Sequence, residues 1–239
     1  MWPFKSVKTL KESGMFSGYV DWHSHILPGV DDGIRNMDDA LKVLRIYEEL
    51  GFRKVWLTPH VMEDYPNTTS SLRDRFAELR SVWDGDVELS LASENMLDTL
   101  FEERLAAKDF LPIGDECRHL LVETSYYTPP ICMDEMLEGI KEAGYFPVLA
   151  HPERYRYMDE SRYIALKERG ILFQMNFVSL VGGYGEDARK KAEWLLSKGM
   201  IDLTGSDVHR LESIVQSIEK SPKNVKTVNF LSDVSKNTL

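Results

Sequence analysis

Seven times along this chain a short apolar run is followed by a stretch of helical periodicity, and that alternation constrains the fold more than any other feature. The runs fall at 19–23, 54–58, 87–92, 120–124, 146–150, 171–175 and 201–204. Their near-continuous apolar character is that of strands buried on both faces. The helical stretches fall at 37–50, 70–83, 99–107, 133–143, 162–169, 187–198 and 210–220. The first carries Ala40, Val43, Leu44 and Tyr47 on one face, with Asn36 or Asp38 available as a cap. Gly51, Gly144, Gly170 and Gly199 follow four of these helices as stops. Strand and helix in alternation predict an α/β fold around a parallel sheet, open or closed. No linker, repeat or low-complexity segment divides the 239 residues. The expected organisation is one domain over 19–221, an N-terminal arm over 1–18 and a C-terminal tail over 222–239.

Charge and composition exclude several functions. Lys and Arg total 29 against 39 acids, a net charge of −10, so binding to a nucleic-acid backbone, which needs an excess of cations, is not expected. No apolar span is long enough to cross a membrane. The first 18 residues scatter Lys5, Lys8 and Lys11 among isolated apolar residues and form no signal peptide; a solvated arm is expected there. Two cysteines, Cys117 and Cys132, make neither a disulfide framework nor a metal-ligand spacing, which fits a reducing compartment and predicts a cytoplasmic protein.

Five of the six histidines sit at or just past a predicted strand end: His23, His25, His60, His151 and His209. Glu94, Glu123 and Asp207 occupy equivalent positions, and the C-terminal edge of a parallel sheet is where ligands are bound. One such histidine would be unremarkable; five with three acids predict a metal centre. His23 and His25, like Asp207 and His209, are spaced i, i+2, which on a strand aims both side chains to one face. Imidazoles and carboxylates without thiolates suit zinc, manganese or iron, and carboxylates favour manganese. Eight or nine candidate ligands over-supply one tetrahedral zinc, so more than one ion is expected. Clustered cations would in turn attract phosphate. His119, before the fourth strand, lies at the opposite end and reads as structural or surface.

Five motifs stand out: Asp21-Trp22-His23-Ser24-His25-Ile26-Leu27-Pro28-Gly29-Val30-Asp31-Asp32-Gly33, Leu57-Thr58-Pro59-His60, Leu121-Val122-Glu123, Ala150-His151-Pro152-Glu153-Arg154-Tyr155 and Gly205-Ser206-Asp207-Val208-His209. With them the chain resembles the polymerase and histidinol phosphatase (PHP) phosphoesterases, and within these the CpsB/YwqE-type bacterial tyrosine-protein phosphatases associated with capsule and exopolysaccharide synthesis. The resemblance implies a distorted (β/α)7 TIM-like barrel with three divalent metals, manganese first and iron, zinc or magnesium as alternatives. The first metal would take His23, His25, Glu94 and Asp207. Glu94 would bridge to the second, with Glu123 and His151. The third would take His60, His209 and Asp32, with Asp31 as the alternative to Asp32. Arg154 matches the arginine that holds the substrate phosphate, and with His151 and Asp207 it makes the catalytic set. The implied reaction is hydrolysis of protein phosphotyrosine by a metal-bound hydroxide, on the tail of a cognate tyrosine autokinase. Near Glu94 the chain reads Ala92-Ser93-Glu94-Asn95, where relatives carry Tyr or Gly nearby. A second arginine found in some relatives has no match: Arg210 comes too early and Ile214 stands at the expected offset.

Neither cysteine lies in the C-x5-R arrangement of thiol-based phosphatases, so no phospho-enzyme is expected. Tyr126, Tyr127, Tyr155, Tyr157, Phe177 and Tyr184 fall in loops on the same edge and are candidate walls for an aryl ring, with loop packing the simpler role for any one of them. Asp31-Asp32-Gly33 is also compatible with a plain turn. The competing functions are a small-molecule phosphatase acting on a metabolite such as histidinol phosphate, an amidohydrolase-like barrel, and a non-catalytic docking module. The long first motif and 150–155 favour the protein phosphatase.

Overall fold

Strand and helix alternate in space as the apolar runs require. The computed structural model describes residues 8–224 with Thr227, Val234 and Leu239. These form β1 (Val20–Ser24), α1 (Met37–Leu50), β2 (Lys54–Leu57), β3 (His60–Val61), α2 (Thr69–Val82), β4 (Glu88–Leu91), β5 (Glu94–Met96), α3 (Thr99–Ala107), β6 (His119–Glu123), α4 (Met133–Glu142), β7 (Phe146–Ala150), α5 (Glu160–Glu168), β8 (Leu172–Asn176), α6 (Gly185–Ser197), β9 (Leu203–Gly205) and α7 (Leu211–Ile218). Helix α1 shows why. The Asn36 side chain accepts from the Asp39 N–H, Gly51 ends the helix at φ 89°, and Ala40, Val43, Leu44 and Tyr47 are its buried face.

Instead of seven strands in one sheet, the described residues form nine in two parallel sheets, ordered β1-β2-β4 and β3-β5-β6-β7-β8-β9. The extra strands arise because the second and third runs each break and resume. Pro59, which has no N–H to give, separates β2 from β3. Backbone bonds cross the breaks: the Ala92 N–H donates to the Leu57 carbonyl (2.9 Å) and the Glu94 N–H to the Pro59 carbonyl (3.1 Å). At the far side, the Ser206 and Asp207 N–H groups donate to the His23 carbonyl (3.1 and 2.8 Å), and the His25 N–H to the Val208 carbonyl (3.1 Å). The parallel sheet therefore curls until β9 meets β1.

Helices cover the convex side, where most of the apolar core lies. A smaller cluster that includes Val20, Trp22, Trp56, Leu121, Val148, Ala150 and Leu203 forms a second core. Between Asp21 and Ser24 the β1 register shifts against β2. Such a shift changes which face successive side chains take, so Trp22 joins this cluster while the adjacent His23 joins the site beyond it.

The expected solvated arm is corrected over its described part. Leu10, Met15 and Phe16 are buried, the Leu10 N–H donates to the Lys220 carbonyl (3.0 Å), and Phe16 stacks on Phe52 at 5.1 Å. Residues 1–7 and, in the tail, 225–226, 228–233 and 235–238 lie outside the described residues. Among the described residues no helix is long and apolar enough to cross a membrane.

The closeness of β9 to β1 can be tested at Gly205, where an added Cβ would lie 2.6 Å from His23 Cβ and 2.8 Å from His23 N. Gly205→Ala should lower stability by about 1–3 kcal/mol, read from urea unfolding in the presence of chelator. An unchanged midpoint would place β9 farther from β1 than described.

Candidate metal centre

All the predicted ligand residues gather at one end of the curled sheet. His23 lies in β1 and His25 just past it; Glu123 ends β6; His151 follows β7; Asp207 and His209 follow β9. His60 and Glu94 differ from expectation in opening β3 and β5, where they stand in register. Seven of the nine are buried, while His209 and Asp32 are partly exposed at the rim. His151 (φ 33°) and Asp207 (φ 53°) both take the left-handed conformation, unusual for residues with a Cβ. Such strain costs of order 1–3 kcal/mol and concentrates at functional sites.

Glu94 is the hub. Its Oε2 lies 3.2 Å from His23 Nε2, 3.3 Å from His25 Nε2 and 3.1 Å from His60 Nδ1. Its Oε1 lies 2.9 Å from His151 Nε2. Glu123 Oε1 is 2.9 Å from His60 Nδ1, and Asp207 Oδ1 lies 3.4–3.6 Å from His23 and His25 Nε2. Four sets of three, able to hold a metal ion, result: His23, His25 and Asp207; His23, Glu94 and His151; His60, Glu94 and Glu123; His25, His60 and His209. At the rim Asp32 Oδ1 lies 3.5 Å from both His60 Nε2 and His209 Nε2. Asp31 is otherwise engaged, accepting from His25 Nδ1 (2.8 Å) and from the His60 and Gly33 N–H groups (both 2.9 Å). Of the two aspartates, Asp32 is the one that faces the imidazoles at the rim.

Three histidines are oriented from behind. Nδ1 of His23 donates to Gln174 Oε1 (2.8 Å), that of His25 to Asp31, and that of His209 to the Asp207 carbonyl (2.9 Å). Each ring thus turns the lone pair of Nε2 forward, the arrangement typical of metal-binding imidazoles. Burial alone would lower the pKa of His23 and His25, but Glu94, Asp207 and Asp31 outweigh it and both are raised. Burial would raise Glu94 and Asp207, yet the facing imidazoles hold both well below the carboxylate range. The donor set fits divalent cations on a separate ground. Glu94 Oε2, Glu123 Oε1 and His60 Nδ1 are buried and converge within 2.9–3.1 Å, yet among the described residues these contacts lack hydrogen-bond geometry. A bound cation satisfies such lone pairs, displacing imidazole protons as it does so.

Gln174 and Asn176 were not singled out by the sequence reading. Gln174 Nε2 donates to Asn176 Oδ1 (3.0 Å), and Asn176 Nδ2 to Asp207 Oδ2 (2.7 Å). The available signal was an i, i+2 pair of amides in an otherwise apolar strand, β8. Behind them Glu153, fully buried, accepts from the Asn176 N–H (3.0 Å) and the Ser179 hydroxyl (2.7 Å). Burial pushes its pKa up to about 7.

Arg154, in the 3-10 turn Pro152–Arg154 that follows β7, lies beside the cluster. Its Nη1 donates to Asp207 Oδ2 (2.7 Å), which also accepts from the Tyr184 hydroxyl (2.8 Å). Both guanidinium faces are covered, by Tyr126 at 4.2 Å and Tyr184 at 4.1 Å. The aromatic expectation is therefore corrected. Tyr155 is buried, its hydroxyl accepting from the Thr124 N–H (3.2 Å), and Phe177 packs on Phe16 and Tyr19. Tyr157 bonds Thr124 Oγ1 (2.6 Å), and Tyr127 is exposed beneath Arg156. Of the six aromatics, Tyr126 and Tyr184 line the cavity of about 490 Å³ that opens over Asp32, His60, Arg154, Asp207 and His209. His119, at the start of β6, stands apart against Phe146.

The profile of the family described as Capsular polysaccharide synthesis, CpsB/CapC, matches residues 19–231. The chain belongs to this family. Among CpsB/CapC relatives, tyrosine-protein phosphatase YwqE of Bacillus subtilis is 28% identical over 217 residues, covering 88% of this chain and 80% of its own. Tyrosine-protein phosphatase CpsB of Streptococcus pneumoniae is 28% identical over 207 residues, 81% of this chain and 84% of its own. A solved structure described with YwqE and CpsB as metal-dependent tyrosine phosphatases superposes with a TM-score of 0.74 at 23% identity, over 92% of this chain and 96% of that one. The lactonase Lmo2620 of Listeria monocytogenes shares the fold at a TM-score of 0.55 and 13% identity, over 96% and 88%.

Gln174→Leu removes the acceptor that orients His23 at similar volume. It should weaken divalent-metal binding roughly 10–100-fold, measured by competition with a chromophoric chelator, and Gln174→Glu should restore much of it. Equal affinity in all three proteins would remove Gln174 from the site.

Proposed function

We propose that this chain is a metal-dependent protein-tyrosine phosphatase. The observation that carries this reading is a single cavity on which buried imidazoles and carboxylates converge beside an arginine with an unengaged edge. Three divalent ions, manganese first, are assigned to His23, His25, Glu94 and Asp207; to Glu94, Glu123 and His151; and to His60, His209 and Asp32. His60 stands between the second and third sets, Nδ1 toward the carboxylates and Nε2 toward Asp32. Bound there, the ions would neutralise phosphoryl oxygens and lower the pKa of a water towards about 7, which supplies a nucleophile at neutral pH.

The chain's own groups do the rest. Nη1 of Arg154 is fixed by Asp207, and among the described residues no hydrogen bond engages its Nε or Nη2; this edge is suited to two non-bridging phosphoryl oxygens. Tyr126 and Tyr184 hold the guanidinium plane, so little ordering remains to be done when substrate binds. Val178 and Ile214 line the same cavity and give an aryl ring apolar contact. The leaving phenolate of tyrosine, with a pKa of about 10, needs less protonation than a serine alkoxide.

We assign the catalytic unit to 19–221, with a barrel of seven strand positions in which β3 continues β2 and β5 continues β4. The proposed substrate is the phosphorylated tail of a bacterial tyrosine autokinase controlling capsule or exopolysaccharide synthesis, met in the cytoplasm. The family description supports this pathway.

Metal-stripped protein should lose hydrolysis of p-nitrophenyl phosphate and regain it with manganese. The reloaded enzyme should prefer a phosphotyrosine peptide over its phosphoserine counterpart by at least tenfold in kcat/KM, since burying the ring contributes about 1–3 kcal/mol. Both should exceed histidinol phosphate. Full activity in protein shown to be metal-free would refute the chemistry, and a preference for histidinol phosphate would reassign the substrate.

Arg154 and His151 should separate under mutation. Arg154→Ala should keep its metal content while kcat/KM falls roughly 10²–10³-fold. His151→Ala should lose metal and activity together. Elemental analysis beside steady-state kinetics decides it; metal loss in Arg154→Ala would contradict the division of roles.

A further inference from the structure

The cavity is larger than its chemistry needs. At about 490 Å³ it falls within the roughly 300–1,000 Å³ range of pockets that bury whole drug-sized ligands, whereas an aryl phosphate occupies one end only. Its acids, Asp32 and Asp207, lie at that end, facing imidazoles and Arg154. From there one wall runs along α7, with Arg210 beside His209 at its start, Lys220 just past its end, and Ser213, Gln216 and Ser217 between them. Both cations are exposed. Among the described residues neither side chain has a hydrogen bond or ion pair, while neighbouring Lys11 pairs with Glu219 (3.2 Å). In a chain with ten more acids than bases, two unpaired cations on one wall of the candidate site form a local reversal of charge.

We propose that this wall is a substrate subsite for an anionic group, carboxylate or phosphate, that flanks the phosphotyrosine on the same peptide. The inference rests on the phosphatase reading and adds its sequence preference. Spacing sets the register. Arg210 and Lys220 bracket α7, ten residues apart, which at about 1.5 Å per residue is roughly 15 Å. An extended peptide advances about 3.3–3.6 Å per residue. Arg210 directly follows His209 and so serves an anion next to or one removed from the phosphotyrosine, whereas Lys220 serves one roughly four residues farther along. Ser213 and Gln216 lie between them and can bond the peptide backbone. Because both cations are exposed, their attraction is screened by salt, with a Debye length of about 8 Å at physiological ionic strength.

The test compares four substrates on the manganese-loaded full chain: phosphotyrosine peptides flanked by glutamates, by glutamines or by a second phosphotyrosine, and p-nitrophenyl phosphate. The glutamate and doubly phosphorylated peptides should exceed the glutamine peptide by about 5–20-fold in kcat/KM, chiefly through KM. The advantage should shrink at 0.5 M salt. Arg210→Gln and Lys220→Gln should each lower the ratio of glutamate-peptide to p-nitrophenyl phosphate kcat/KM by about threefold or more, and Lys220→Glu should lower it further. An advantage held only by the second phosphotyrosine would name phosphate as the flanking anion; an advantage shared with glutamate would name charge alone. An active enzyme indifferent to flanking charge, or a preference that survives in the double variant, overturns the inference. Failure to hydrolyse any of the four, p-nitrophenyl phosphate included, overturns the phosphatase reading and this subsite with it.

Discussion

The structure is organised around one buried carboxylate. Glu94 has no access to water, yet three imidazoles surround one of its oxygens and a fourth meets the other. A buried charge is tolerated only when it is paired or bound to a cation. Imidazoles, however, carry balancing charge only if they hold protons that burial tends to remove. The strand breaks follow from the same requirement. Resuming the second and third runs as β3 and β5 brings His60 and Glu94 into register, so the backbone itself fixes the distance between them. The bulge in β1 brings His23 to the same point from the other side.

Much of this was legible in the sequence, because strand ends and residue types are local properties. The seven apolar runs and the helices were located to within two residues at their ends, and the imidazoles and acids at those ends are the ones that converge. What the sequence concealed depends on tertiary contact. Nothing local distinguishes Tyr155, whose hydroxyl accepts from the Thr124 backbone, from Tyr126, whose ring covers Arg154. The same limit applies to residues 8–18. Their apolar side chains are isolated along the chain, but Phe16 finds Phe52 and Phe177 across the fold.

Strand β8 illustrates a different kind of omission. It supplies none of the assigned ligands, so a search for ionisable residues passes over it. Its contribution is the amide pair Gln174 and Asn176, which orients a histidine of β1 and an aspartate beyond β9. Neutral amides suit this task, because they hold an imidazole or a carboxylate by hydrogen bond without adding charge to a site already crowded with it. Sharing the curled sheet, as the lactonase does, fixes only the scaffold; the chemistry belongs to the side chains placed on it.

Asp207 is where the two halves of the site meet. Its Oδ1 faces the imidazoles, while its Oδ2 accepts from Arg154, Asn176 and Tyr184. A carboxylate shared in this way links the two functions proposed for it. Oδ2 already accepts from three donors, so a divalent cation held by Asp207 with His23 and His25 would compete with Arg154 for the same carboxylate charge. The guanidinium would then be freer to turn its donors to a phosphoryl group, although the stacked tyrosines prevent it from leaving. Metal binding and anion binding would then be coupled, and linkage would require the coupling to run both ways: whatever a bound metal did for phosphate affinity, bound phosphate would do for metal affinity. The left-handed backbone at Asp207 is held by these contacts on both carboxylate oxygens, since such strain persists only where the surroundings over-determine it.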